Sequence, residues 1–176
     1  MKGIATGNDV EGAACGARDG THAGVFALAQ DVDDLIFDID VISDPENAPT
    51  QQETPMCQGT VCPEGTHQFV LDPPIPSVRV LGGASGLEAY YAVLVSPDGK
   101  QTRLSQGASL QASGRGYAAT GRWVTDTVFS LTLGRTSDRG WTGVWKIVFV
   151  DPASTGDGVA RTNLRLYGDL RPAWLD

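Results

Sequence analysis

Along residues 66–176, apolar and polar side chains alternate with a period of two, the spacing that sends successive side chains to opposite faces of a strand. Val78 and Val80 flank Arg79. Leu87, Ala89, Tyr91, Val93 and Val95 share one face of a predicted long strand. Ser96-Pro97-Asp98-Gly99 closes that strand with a turn, Pro presetting the second position and Gly suiting the last. Residues 100–104 supply the hairpin partner. Trp123, Thr125, Thr127, Phe129, Leu131 and Leu133 then alternate with Val124, Asp126, Val128, Ser130 and Thr132. Trp141, Trp145, Ile147 and Phe149 line one face of the next strand and Val144, Val148 and Val150 the other, which marks that strand as central. After a loop over residues 151–158, Leu164 and Leu166 alternate with Asn163, Arg165 and Tyr167. Seven or eight strands without a helical period between them predict an antiparallel β-sandwich, jelly-roll or immunoglobulin-like. The glycines around Ala84 and Ser85 read as a turn between two of these strands.

The first fifty residues follow another pattern. Residues 25–29 form a short apolar run that reads as a buried strand. Val32, Leu35, Ile36 and Ile39 then recur at the i, i+3, i+4, i+7 spacing of a helix with one apolar stripe. Asp31 is a natural N-cap, Asp33 and Asp34 occupy the first turn where the helix dipole favours anions, and Pro45 ends the segment. Residues 45–65 contain four prolines and no period, which predicts a linker. The expected organisation is therefore an α/β segment over 1–44, a Pro-rich linker over 45–65, and a sandwich over 66–176.

Composition supports a chain rich in turns: 22 glycines and 10 prolines among 176 residues, with 41% apolar content for a core. Charge is uneven. Residues 1–50 hold ten acids against Lys2 and Arg18 and so account for the whole net charge of -8. No basic stripe exists, which argues against a nucleic-acid partner. No apolar run approaches the roughly 18 residues of a membrane span. Residues 1–8 lack the apolar core of a secretory signal. Export is nonetheless expected from the cysteines and the domain style, with the signal in a preceding part of a longer chain. Cys57 and Cys62 enclose only four residues, with Gly59 free to turn, and are the expected disulfide; so short a loop contributes little stability. Cys15 is left over. Zinc held by Cys15, Cys57 and Cys62 with His67 or His22 is disfavoured, because no paired C-x2-C knuckle occurs.

Gly3-Ile4-Ala5-Thr6-Gly7-Asn8, the apolar run at 25–29, and Asp31-Val32-Asp33-Asp34-Leu35-Ile36 together resemble the closing section of a von Willebrand factor type A domain. That resemblance implies a late strand ending in a G-I-x-x-G-N-like turn, a final strand, and a capped C-terminal helix. It also implies that the rest of such a domain precedes residue 3 or comes from a partner. The cation-binding D-x-S-x-S loop of such domains is not in this sequence, so metal-dependent adhesion is not assigned. The sandwich resembles modules that follow von Willebrand A domains in secreted or membrane-anchored bacterial proteins. Its Gly143, Trp145, Ile147, Phe149 and Asp151 pattern is also similar to the P-domain of proprotein convertases.

Candidate chemistry is sparse. Only two histidines exist, and Ser85 in Gly82-Gly83-Ala84-Ser85-Gly86 does not form a G-x-S-x-G elbow, so no catalytic residues are assigned. Asp151 and Asp157 are weak calcium candidates, lacking the D-x-D-x-D-G density of a dedicated loop. Trp145 is expected in the core, whereas Trp141, near a strand end, and Trp174, near the C-terminus, are the candidates for exposure and for contact with sugar or protein. The expected function is a non-catalytic extracellular module for adhesion or assembly, with a protein partner or upstream domain. The alternative is a carbohydrate- or calcium-binding accessory domain of a secreted hydrolase.

Overall fold

The computed structural model describes residues 3–5, 26–28, 31–44, 47–87, 89–156 and 158–168. The chain divides into two units, Met1–Pro49 and Thr50–Asp176, each taken by itself. In the first, β1 (Gly3–Ala5) pairs in parallel with β2 (Phe26–Leu28). Helix α1 (Val32–Ser43) follows and begins where the sequence predicts. Oδ1 of Asp31 accepts the Asp34 amide at 2.8 Å, satisfying one of the amides a helix start leaves open. The buried side differs from the predicted stripe: Phe37 and Asp40, three residues apart, are buried, while Val32 is 65% and Ile39 is 45% exposed. A stripe counted from spacing alone weighs Val and Ile like Phe. The largest ring in the segment has the most area to remove from water and sets the face instead.

The second unit is a β-sandwich of eleven strands, more than the seven or eight expected. They are β3 (Thr50–Pro55), β4 (Cys57–Gln58), β5 (Thr66–Leu71), β6 (Ser77–Ser85), β7 (Tyr91–Val95), β8 (Gln101–Ser105), β9 (Leu110–Gly114), β10 (Tyr117–Trp123), β11 (Val128–Arg135), β12 (Gly143–Asp151) and β13 (Val159–Tyr167). One sheet has six strands in the order β3-β13-β6-β11-β10-β9. The other has five: β4-β12-β7-β8, with β5 antiparallel to β12 beside β4. All pairings in the sandwich are antiparallel except the two-residue β4–β12 contact.

Several expectations change. The long strand expected from Leu87 begins only at Tyr91. The linker ends sooner than predicted, because β3 pairs with β13 from Thr50 to Pro55. An edge strand needs only one neighbour and no apolar face, so Thr-Gln-Gln-Glu-Thr-Pro gives no alternation to read. The predicted strand through Trp123 and Leu133 is two strands. Val124 and Thr125 donate backbone bonds to the Val128 carbonyl, and Trp123 pairs across the hairpin with Phe129. The even spacing across the turn keeps the apolar period intact and conceals the break. Finally, Gly82 and Gly83 lie inside β6, not in a turn. A Cβ on Gly82 would come within 2.5 Å of the Phe129 ring, so glycine there makes room for an aromatic on the neighbouring strand.

The turn at Ser96–Gly99 forms as predicted: Ser96 and Lys100 close it, the Gly99 amide reaches the Ser96 carbonyl at 2.8 Å, and Gly99 has φ +83°. Inner faces of both sheets meet in one core. Val78, Val80, Phe129, Leu131 and Leu133 come from the six-stranded sheet, and Leu71, Leu94, Leu104, Trp145, Ile147 and Phe149 from the other. A smaller apolar cluster of Cys57, Val93, Val148 and Val150 lies on the outer face of the five-stranded sheet. β12 is thus apolar on both faces, as its sequence predicts.

Candidate functional site

At one flank of the sandwich, β3 of the six-stranded sheet and β5 of the five-stranded sheet approach each other and leave a cleft of about 30 Å³. Alternation decides what enters it. Thr50 and Gln52 on β3, Thr162 and Leu164 on β13, and Val80 on β6 face inward from one sheet; His67 and Phe69 on β5 and Ile147 on β12 face inward from the other. The floor is apolar, formed by Val80, Ile147 and Leu164, and the lip is polar. Phe69 is half-buried and stacked on Trp145 with ring centroids 6.4 Å apart.

His67 closes the deep end. Its Nδ1 lies 2.8 Å from Oγ1 of Thr162 and its Nε2 lies 2.8 Å from Oγ1 of Thr54, so one imidazole ties β5 to β13 and β3. In the neutral ring one nitrogen donates and the other accepts, and hydroxyls serve either role. The ring also packs on Phe149 at 5.2 Å. Burial lowers its pKa from 6.5 to about 4, so the cleft carries no charge from this group at neutral pH.

The loop after β12 is organised by Asp151, which is buried. Its Oδ1 accepts the Ala153 amide at 2.8 Å, and its Oδ2 accepts the Thr155 amide at 2.6 Å and the Thr155 hydroxyl at 2.8 Å. Burial pushes the carboxyl up, but the hydrogen bonds from Thr155 and the neighbouring amides outweigh it and hold the pKa below its usual value. Both carboxylate oxygens are spent on the turn, so the geometry makes Asp151 a loop organiser. Asp157 lies outside the described residues. Among the described residues, no group of three or more His, Cys, Asp or Glu side chains stands together to hold a metal ion.

Cys57 and Cys62 form the expected disulfide, with Cα atoms 5.4 Å apart. That bond removes both sulfurs from any zinc set; Cys15 and His22 lie outside the described residues. Next to the disulfide, Gln58 joins the two loops: its Oε1 accepts the Gly156 amide at 3.1 Å.

Trp145 is fully buried, as expected. Trp141, a candidate for exposure in the sequence, is instead inside: it is 0% exposed, and its indole Nε1 donates to the Ile75 carbonyl at 2.8 Å. The residue precedes β12 but keeps the phase of Trp145, Ile147 and Phe149, so its place near a strand end is a weaker guide than the shared face, and its indole finds a partner inside. Trp174 lies outside the described residues. Phe69, Gln52 and Thr162 were not singled out from the sequence. The signal available was a histidine standing in phase with Phe69 and Leu71, on the side of the strand that apolar residues occupy.

No protein-family model matches the chain, and no curated protein matches it. Among solved structures, that of the Clostridium perfringens CspB protease is similar over 81% of this chain, with 10% sequence identity and a TM-score of 0.47. The chain spans 28% of the length of that protease chain.

Proposed function

We propose that the chain is a non-catalytic module of an exported or surface-exposed protein, in which the sandwich serves adhesion or assembly beside a von Willebrand A-like segment. The observation that carries this reading is the fate of the reactive groups. His67 has both ring nitrogens bonded to threonine hydroxyls rather than to a carboxylate, and Asp151 has its oxygens committed to its own loop. General acid–base or nucleophilic chemistry needs such groups poised toward a substrate atom. The disulfide supports an oxidising compartment, since such bonds are rare where thiols are kept reduced. The parallel β1–β2 pair followed by a capped helix supports the α/β segment.

The test uses the full chain immobilised on a sensor surface. The expected result is saturable binding of a folded von Willebrand A domain or an extracellular-surface protein, undiminished in His67→Gln and Asp151→Asn. Turnover of peptide, ester or glycoside substrates that disappears in either variant overturns the reading.

A carbohydrate-binding accessory domain is the second reading, favoured by the uncharged cleft between β3 and β5. Calcium is less favoured, because the carboxylate offered for it already accepts three bonds from the protein.

A further inference from the structure

We infer that the cleft between β3 and β5 is a subsite for the hydroxymethyl group of a neutral hexopyranose, with the ring lying across Phe69. This rests on the carbohydrate reading of the sandwich and fixes its place and its ligand.

Charge comes first. The cleft is lined by Thr50, Gln52, His67, Phe69 and Thr162 over the apolar floor, and none of these side chains is ionised at neutral pH. An ion seated there would give up water without gaining a counter-charge, so the chemistry of the lining selects a neutral occupant. Size comes next. A volume of about 30 Å³ holds roughly two waters, which is the size of one carbon and one hydroxyl oxygen. A whole sugar ring does not fit, but its exocyclic CH2OH does.

The distribution of atoms matches that group. Val80, Ile147 and Leu164 offer the carbon an apolar floor. The Thr162 hydroxyl, already bonded to His67 Nδ1, keeps capacity for a second bond whichever way the imidazole proton lies. Thr50 and Gln52 are exposed on the edge strand β3, and no hydrogen bond engages the Gln52 side-chain amide or the Thr50 hydroxyl among the described residues. They stand at the lip, where ring hydroxyls would lie. Phe69 is half-buried on the opposite wall and held in place by Trp145, and a fixed aromatic face is the surface that the apolar C–H side of a sugar covers.

The experiment titrates the full chain with methyl β-glucopyranoside, methyl β-galactopyranoside and methyl β-xylopyranoside, the last lacking the hydroxymethyl carbon. Backbone amide and indole NMR shifts are followed at neutral pH. At least one hexoside is expected to give saturable shifts at Gln52, Phe69 and the Trp145 indole, with roughly millimolar Kd. The xyloside is expected to bind about tenfold or more weakly, since a pocket built for the missing group then stays unfilled. Gln52→Ala and Thr50→Val, both on the exposed edge, are expected to weaken the hexoside several-fold without moving the melting temperature. Shifts absent for both hexosides, equal affinity for the xyloside, or binding indifferent to both variants each overturn the subsite. None of these failures touches the protein-partner reading, whose own test is binding to an immobilised chain.

Discussion

At the residue scale, the tryptophans and His67 carry the clearest consequences. Trp145 is fully buried between Trp141, Tyr117 and Phe69, with centroids at 5.8, 4.7 and 6.4 Å. Trp145→Ala is expected to cost roughly 3–5 kcal/mol, read as a fall in the midpoint of chemical denaturation; an unchanged midpoint would remove the residue from the core. Trp141→Phe keeps an aromatic ring but removes the indole donor of the Ile75 carbonyl and part of a buried side chain, at a combined cost of about 1–3 kcal/mol in the same measurement. For His67 the sign follows from its lowered pKa. Between 6.5 and about 4 the unfolded chain takes up a proton that the folded chain refuses, so stability falls as pH drops through that window. The melting temperature is expected to decline by several degrees more in the natural chain than in His67→Gln across the same range. Parallel pH profiles for the two would refute the neutral imidazole. These residues were only partly legible in the sequence. Trp145 and Trp141 share one phase, but position near a strand end pointed Trp141 outward, and the partners of His67 come from strands 13 and 95 positions away.

At the element scale, β12 and the short strands beside it show what pattern can and cannot reveal. A strand apolar on both faces reads as central, and β12 has β7 on one side and β4 and β5 on the other. β3 is polar along its length and β4 is two residues long, so neither offers a period; pairing with β13 and β12 makes them strands. The disulfide belongs here too. Cys57 is buried with Val148 and Val150, so the bond closes a short loop and also seats a piece of the outer cluster. Closing a loop this short restrains the unfolded chain little, by roughly 2 kcal/mol at the low end of what disulfides supply. Cys62→Ser is expected to lower stability by about that amount, and a change below a few tenths would refute the role. In β6, Gly82→Ala is expected to cost about 1–3 kcal/mol, because the Phe129 ring must move off its neighbour. Thermal melts of the variant and of a Gly82→Ala, Phe129→Leu pair separate that clash from a loss of backbone freedom.

At the scale of the whole molecule, one apolar core spans both sheets of the sandwich and His67 ties their edges together. A single core implies a single cooperative transition for the sandwich. Tryptophan fluorescence and the far-ultraviolet strand signal are expected to melt together; separated midpoints would mean that the two sheets unfold independently.

The sequence by itself determined the β class, the helix start at Asp31, the turn at Ser96–Gly99, the disulfide and the central place of β12. Each of these is a local matter, set by side-chain period, capping chemistry or the spacing of two cysteines. Only the tertiary structure decided which face of the helix is buried, where the sandwich begins, that Trp141 lies inside, and that Gln52, His67, Phe69 and Thr162 border one cleft. Those outcomes depend on which strands become neighbours, and pairing between residues a hundred positions apart leaves no periodic trace in either segment.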